Sequence, residues 1–249
     1  MGRKLVNAKQ RYPQPVNPEG EKVIRLKQRV QARNQSQEFY LESLRDSKLT
    51  IGTGPAGTGK SFLAMSVAVE KLLNKDVSRI VLTRPICEAG ESLGFLPGTF
   101  EEKIHPYLLP LLDALTDLVG PTMSKKLLDG GLIEFAPLAY MRGRTFSNAY
   151  VILDEAQNTT IEQMKLFVTR IGDYAQFVID GDPSQCDLKG VAENGLQWVS
   201  RKLRGVSPDI SVIEFANRDI VRSEIVRTIL THLESPDDVA YRQPNRRSA

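Results

Sequence analysis

Gly54-Pro-Ala-Gly-Thr-Gly-Lys60-Ser61 satisfies G-x-x-x-x-G-K-[ST] at every fixed position. The apolar run from Leu49 to Thr53 leads into it, and a helical pattern from Lys60 to Leu73 leaves it. A strand, a glycine-rich loop and a helix in that order make a P-loop, whose backbone N–H groups wrap a polyphosphate above a helix N-terminus. Gly54, Pro55, Ala56, Gly57, Thr58, Gly59, Lys60, Ser61 and Phe62 are therefore expected to bind a nucleoside triphosphate. Lys60 is assigned to the β- and γ-phosphates and Ser61 to Mg²⁺. Few motifs restrict a fold so tightly, because this one needs a parallel sheet to carry it.

The remaining pattern agrees. From Lys48 onward, strand candidates Leu49–Thr53, Arg79–Thr83, Leu132–Phe135, Tyr150–Leu153, Phe177–Ile179 and Ile210–Phe215 alternate with helix candidates. The helices are expected at Lys60–Leu73, Phe100–Leu118, Ile161–Arg170, Glu193–Leu203 and Ile220–Leu233. Alternation of this kind predicts a three-layer α/β protein with a mostly parallel sheet. Upstream, two helical patterns run from Glu21 to about Arg45, the second carrying Phe39, Leu41 and Leu44.

Tyr150-Val-Ile-Leu-Asp154-Glu155 is an apolar strand that ends in two acids. At the C-terminal edge of a parallel sheet such acids lie beside the P-loop. Asp154 is assigned to Mg²⁺ and Glu155 to polarising the attacking water, which favours hydrolysis over kinase chemistry. The next strand runs into Gly181-Asp182-Pro183-Ser184-Gln185, where Gln185 is positioned to sense the γ-phosphate. An Asp-Pro turn with a capping serine would explain the turn but leave the glutamine unexplained.

Bulk properties narrow the class. The chain has 249 residues, 41% hydrophobic and 25% charged, with a net charge of +3. Residues 1–33 contain nine Lys or Arg against Glu19 and Glu21, a +7 arm suited to a phosphate backbone or to a solvated tail. Residues 1–20 form a flexible arm in this reading, 21–234 the P-loop domain, and 235–249 a disordered tail. No run approaches the ~20 apolar residues of a membrane span, and the charged N-terminus lacks a signal-peptide core. Cys87 and Cys186 are expected to be free thiols in a reducing cytoplasm. With His105 and His232 the only histidines, a His-rich zinc site is excluded.

The motifs together resemble the PhoH-like ATPases, which are related to the N-terminal RecA-like half of superfamily 1 helicases. The resemblance rests on the P-loop, Leu82-Thr-Arg-Pro through Gly98, Tyr140-Met-Arg-Gly-Arg-Thr-Phe146 and Val-Ile-Leu-Asp-Glu-Ala-Gln-Asn158. Leu166–Gly172, Gly-Asp-Pro-Ser-Gln185 and Asp219-Ile-Val-Arg222-Ser extend it, so that it spans about residues 34–233. It implies ATP as the nucleotide, Gln37 as the adenine reader, and an additional strand between the P-loop strand and the Asp-Glu strand. Two departures stand out: Ser223 occupies a position where the family often has histidine, and the basic arm stands where many members carry a longer or fused region.

Superfamily 1 helicases close two RecA-like lobes over one ATP, whereas this length suits one lobe. The expectation is a homo-oligomeric ring, a hexamer by family resemblance, in which a neighbour completes the site. Arg218 and Arg222 are the candidates for the arginine that neutralises γ-phosphate charge, with Arg170 next. Arg84, Lys103, Arg142 and Arg144, with Phe95, Tyr107, Tyr140 and Phe146, are the candidate contacts to single-stranded nucleic acid. For helix 100–118 ordinary core packing is the stronger reading. The leading function is ATP hydrolysis coupled to translocation on, or remodelling of, single-stranded RNA or DNA, with RNA favoured. An ATP-dependent assembly or switch factor acting on a protein partner is the alternative; a small-molecule kinase is disfavoured by Glu155 and by the lack of recognisable lid arginines.

Overall fold

The structure, a computed structural model, describes residues 30–85, 100–221 and 225–226, without the side chains of residues 100–105. Its frame is a six-stranded, all-parallel sheet in the order β3-β2-β4-β5-β1-β6. In chain order the main elements are α1 (Gln35–Asp46), β1 (Leu49–Thr53), α2 (Lys60–Leu73), β2 (Arg79–Thr83), α3 (Phe100–Val119) and α4 (Pro121–Asp129). There follow β3 (Ile133–Phe135), β4 (Ala149–Leu153), α5 (Ile161–Val168), β5 (Gln176–Gly181), α6 (Gly195–Leu203) and β6 (Ile210–Glu214).

The central strands are apolar runs because both of their faces are covered. All five residues of β1 and all five of β4 are buried. Alternation along β4 assigns its side chains to two cores. Tyr150 and Ile152 pack with Tyr40, Leu63, Val67, Leu111 and Leu115 beneath α1, α2 and α3. Val151 and Leu153 pack with Met164, Phe167, Phe177, Leu196 and Val199 beneath α5 and α6. The three-layer α/β P-loop architecture follows from this arrangement. As the resemblance implied, one strand, β5, lies between the P-loop strand β1 and the Asp-Glu strand β4.

Several boundaries differ from the sequence reading, each for a local reason. The helix α4 was not anticipated; Gly120, at φ 86°, and Pro121 at the first helical position start it directly after α3. Helix α5 stops at Val168 because Thr169 Oγ1 turns back to the carbonyls of Lys165 and Leu166. Helix α6 begins at Gly195, since Asn194 is its cap and exchanges hydrogen bonds with Gln197. Strand β5 runs on through Asp180 to Gly181, carrying a carboxylate into the sheet. Phe39 is not a core residue but 51% exposed; α1 buries Gln37, Tyr40, Leu41 and Leu44. Ile220 and Val221 are not helical, and beyond them only residues 225 and 226, both helical, are described. The arm, the pattern around Val23 and Leu26, and the tail lie outside the described residues.

Candidate active site

The C-terminal ends of β1, β4 and β5 meet at one edge of the sheet, and the P-loop rises from the first. Gly54, at φ 135°, passes so close to the backbone of Phe215 that a Cβ there would lie 2.3 Å from the Phe215 carbonyl oxygen. Only glycine fits that approach. Lys60 folds back over the loop, donating to the Gly54 and Pro55 carbonyls at 2.8 and 2.9 Å and to Thr58 Oγ1 at 3.1 Å. Burial lowers the pKa of its ammonium, against the opposing pull of Asp180, Asp182, Asp154 and Glu155. An incoming triphosphate offers that ammonium full anionic partners in place of neutral ones.

Ser61, in the first turn of α2, donates to Asp154 Oδ1 at 2.8 Å. Asp154 is buried, and desolvation, followed by the neighbouring Glu155 charge, raises its pKa. A buried carboxylate held beside a hydroxyl is a pair of hard oxygen donors that fits Mg²⁺, which keeps much of its shell as water and nucleotide phosphate. Among the described residues no three His, Cys, Asp or Glu side chains cluster as ligands.

Glu155 adopts the left-handed conformation, φ 53° and ψ 40°, where the chain turns off β4. Such backbone in a non-glycine residue is uncommon and gathers at functional sites. Both its carboxylate oxygens are engaged: Arg84 Nη2 donates to Oε1 at 2.8 Å, and Gln157 Nε2 donates to Oε2. Gln157 is buried and its Oε1 accepts the backbone N–H of Asp182 at 3.1 Å. Asp182 in turn accepts the Ala56 N–H of the P-loop at 3.1 Å and caps the turn through the Ser184 N–H and hydroxyl. The loop is thereby pinned to the turn that carries Gln185.

Next to the loop opens a cavity of about 700 Å³, lined in part by Gln37, Gly57, Gly59, Phe62, Leu63 and Asp117. Asn34 caps α1 by accepting the Gln37 N–H, and its own amide donates to the Asp219 carbonyl at 3.2 Å. The buried Gln37 side chain accepts from Arg33 N–H at 2.8 Å and donates to the Thr58 carbonyl at 2.9 Å. An amide has two lone pairs and two hydrogens. These two bonds use one of each. The Val221 N–H donates to the Gly57 carbonyl at 2.8 Å, closing the far wall onto the P-loop.

The sequence-assigned residues thus fall into groups. Gln37, residues 54–62, Asp154 and Glu155 surround one edge of the sheet. Gln185 is exposed on the 3₁₀ turn Pro183–Gln185, anchored by its N–H to the Asp182 carbonyl at 3.0 Å. Arg218 is exposed on the 3₁₀ turn Asn217–Asp219, which packs against this same edge. Arg222, Ser223, Cys87 and Phe95 lie outside the described residues. Arg170 donates to the Leu166 and Arg144 carbonyls and to Thr169 Oγ1, at the opposite end of the sheet.

The suggested nucleic-acid contacts divide similarly. Phe146 is wholly buried against Phe177, so it cannot stack on a base. Arg144 lies over the Phe146 ring and pairs with Glu134, leaving Arg142 as the exposed arginine of that turn. Tyr140 is exposed. Sequence reasoning missed Asp182, Gln157, Asp180 and Tyr40 as parts of the site. Each is set by packing between distant segments.

A model of the family described as "PhoH-like protein" matches residues 29–234. The chain belongs to the PhoH-like family. PhoH-like proteins of Mycobacterium bovis and Bacillus subtilis are each 49% identical to it over 201 residues, 81% of this chain and 57% and 63% of theirs. Protein PhoH of Escherichia coli K12 is 43% identical over 205 residues, 81% of this chain and 57% of its own. The chain therefore spans rather more than half the length of the PhoH-like relatives it matches. Among solved structures, a large terminase from a thermophilic bacteriophage aligns over 82% of this chain and 50% of its own, at TM-score 0.49 and 12% identity. The Pyrococcus furiosus Hef helicase domain covers 74% of this chain and 38% of its own, at TM-score 0.44 and 11% identity. Likeness of that degree carries no weight for what a PhoH-like chain does.

Proposed function

We propose that this PhoH-like domain, residues 21–234, binds and hydrolyses ATP and couples turnover to movement on, or remodelling of, single-stranded nucleic acid, RNA before DNA. The observation that carries hydrolysis is the pairing of Ser61 with Asp154 at 2.8 Å, with Glu155 next along the chain at the same strand end. The adenine enters the cavity beside Gln37, and the phosphates lie along Gly54–Phe62 with Lys60 against the β- and γ-groups. Ser61 and Asp154 would hold Mg²⁺, which would supply neutralisation of the charge on the phosphates. Glu155 takes a proton from water as that oxygen bonds to the γ-phosphorus and the β–γ bridge breaks, leaving ADP and phosphate. Gln185, exposed at the end of its anchored turn, meets the γ-phosphate and reports its loss.

Arg218, on the surface of this edge, and Arg222 after it are suited to serve a nucleotide bound to a neighbouring copy. In this reading the chain is a subunit of a ring, six to a ring by family resemblance, in a cytoplasmic setting. Among the described residues no helix is long and apolar enough to cross a membrane. The deciding experiment measures ATPase rate with single-stranded RNA, single-stranded DNA and neither, across a salt series. Stimulation that fades as salt rises supports the motor reading. Indifference to both polymers at every salt concentration transfers the assignment to an ATP-driven switch acting on a protein partner.

A further inference from the structure

Arg84 stands at the end of β2, the strand hydrogen-bonded to β4, so that its side chain and Glu155 emerge from adjacent strand ends. Its guanidinium does two things at once. Nη2 donates to Glu155 Oε1 at 2.8 Å, and Nη1 donates to the Tyr107 carbonyl of α3, also at 2.8 Å. Gln157 holds the other oxygen of the same carboxylate and is itself tied through Asp182 to the P-loop. Glu155 is thus gripped on both sides, in a left-handed backbone conformation that leaves its direction to these neighbours.

A general base works only from within hydrogen-bond reach of the water it deprotonates. A carboxylate fixed toward a guanidinium on one oxygen and an amide on the other is directed by them. We propose that Arg84 is a positioning residue that holds Glu155 in a resting orientation, and that a backbone phosphate of single-stranded nucleic acid releases it by taking the guanidinium. The second half rests on the function proposed above. Phosphate suits the exchange because it matches the guanidinium fork as well as a carboxylate does. The Arg84 side chain is 19% exposed and that of Glu155 32%, so the pair is open to solvent. ATP turnover would then be slow until a strand is bound, by an ion pair within the active site and without any second lobe.

The test uses the full chain and compares wild type with Arg84→Gln and Arg84→Lys at saturating ATP, with and without a single-stranded RNA or DNA oligonucleotide. Nucleotide titration confirms that each variant is folded. Arg84→Gln keeps a polar side chain but lacks the charge and the reach of the guanidinium. It should turn over faster than wild type without nucleic acid, by about tenfold, the equivalent of one charge-assisted hydrogen bond, and should lose most of its response to oligonucleotide. Arg84→Lys should fall between. Basal turnover in both Arg84 variants equal to or below wild type would overturn the proposal. Faster variants beside a wild type that ignores both polymers would support the restraint while removing nucleic acid as its release, so the two failures read out separately.

Discussion

Tyr40 Oη donates to the Oδ1 of Asp180 beneath the P-loop, joining α1 to β5 through two fully buried side chains. Asp180 Oδ2 is buried with no hydrogen-bond partner. Gly52 makes room for the carboxylate, since a Cβ there would lie 2.6 Å from Oδ1. Desolvation dominates its titration and raises its pKa from 3.8 to about 7; the Tyr40 hydrogen bond and Lys60 oppose that rise, while Asp154 adds to it.

This sets a pH signature for stability. Between pH 4 and 7 the folded chain keeps a proton on Asp180 that the unfolded chain releases, so this group's contribution to stability falls as pH rises across that window. Its full effect is at most about 4 kcal/mol. Asp180→Asn should flatten the decline, measured as urea unfolding midpoints from pH 4.5 to 7.5. Tyr40→Phe, which removes the hydroxyl, should cost about 1–3 kcal/mol, most where Asp180 is ionised. Parallel profiles for Asp180→Asn and wild type would refute this account.

Lys60→Ala removes the ammonium that reaches across Gly54, Pro55 and Thr58. ATP affinity should fall about 10- to 100-fold, from the loss of charge-assisted contacts to phosphate, and turnover should become undetectable. Titration with a fluorescent ATP analogue reads the first effect, and phosphate release reads the second.

Glu155→Gln retains a side chain of the same shape, whose single carbonyl oxygen can accept from Arg84 or from Gln157 but not replace both carboxylate contacts. ATP should bind with near wild-type affinity while kcat falls about 10²- to 10⁴-fold, the usual contribution of a general base. Normal single-turnover hydrolysis in this variant would move the base elsewhere.

Gln37→Ala deletes the amide that spans the Arg33 N–H, the Thr58 carbonyl and the cavity. If that amide reads adenine, preference for ATP over GTP should shrink by about tenfold, with ATP binding weakened as well. Competition of ATP and GTP for the fluorescent analogue measures it; an unchanged ratio would assign Gln37 to holding the P-loop alone.

Gly181 faces Gln157 Oε1 and Leu196 Cδ2, and a Cβ would approach them to 2.5 and 2.7 Å. Gly181→Ala should therefore displace Gln157, lowering stability by about 1–3 kcal/mol and kcat along with it. Thermal melts and ATPase rates on one preparation test both parts.

Much of this was visible in the residues. Each strand that bears the site is a short apolar run ending in polar residues, and burial on both faces makes such runs continuous, as in Ala149–Leu153. The P-loop, Asp154 and Glu155 act through fixed spacing, which one sequence displays. What escaped notice depends on contacts between distant segments. Asp180 looks like part of a turn until β5 is seen to extend through it, and Gln157 looks like a helix-start residue until its amide is found between Glu155 and Asp182. Phe146 and Arg144 suggested a nucleic-acid contact by type, yet Phe177 and Glu134 claim them for packing. Helix α4 was hidden because only Gly120 separates it from α3.

The strand order has a consequence for biosynthesis. Among the described residues strand β1 pairs with β5 and β6 alone: Leu49 lies opposite Phe177 on one side and Ile210 on the other. At a synthesis rate of roughly 5–20 residues per second, the segment bearing the P-loop waits on the order of ten seconds for its first neighbour in the sheet. Through that interval the nascent chain has a complete phosphate-binding sequence but lacks the strands that flank β1 in the sheet. ATP can therefore stabilise only the fold in which those strands have joined.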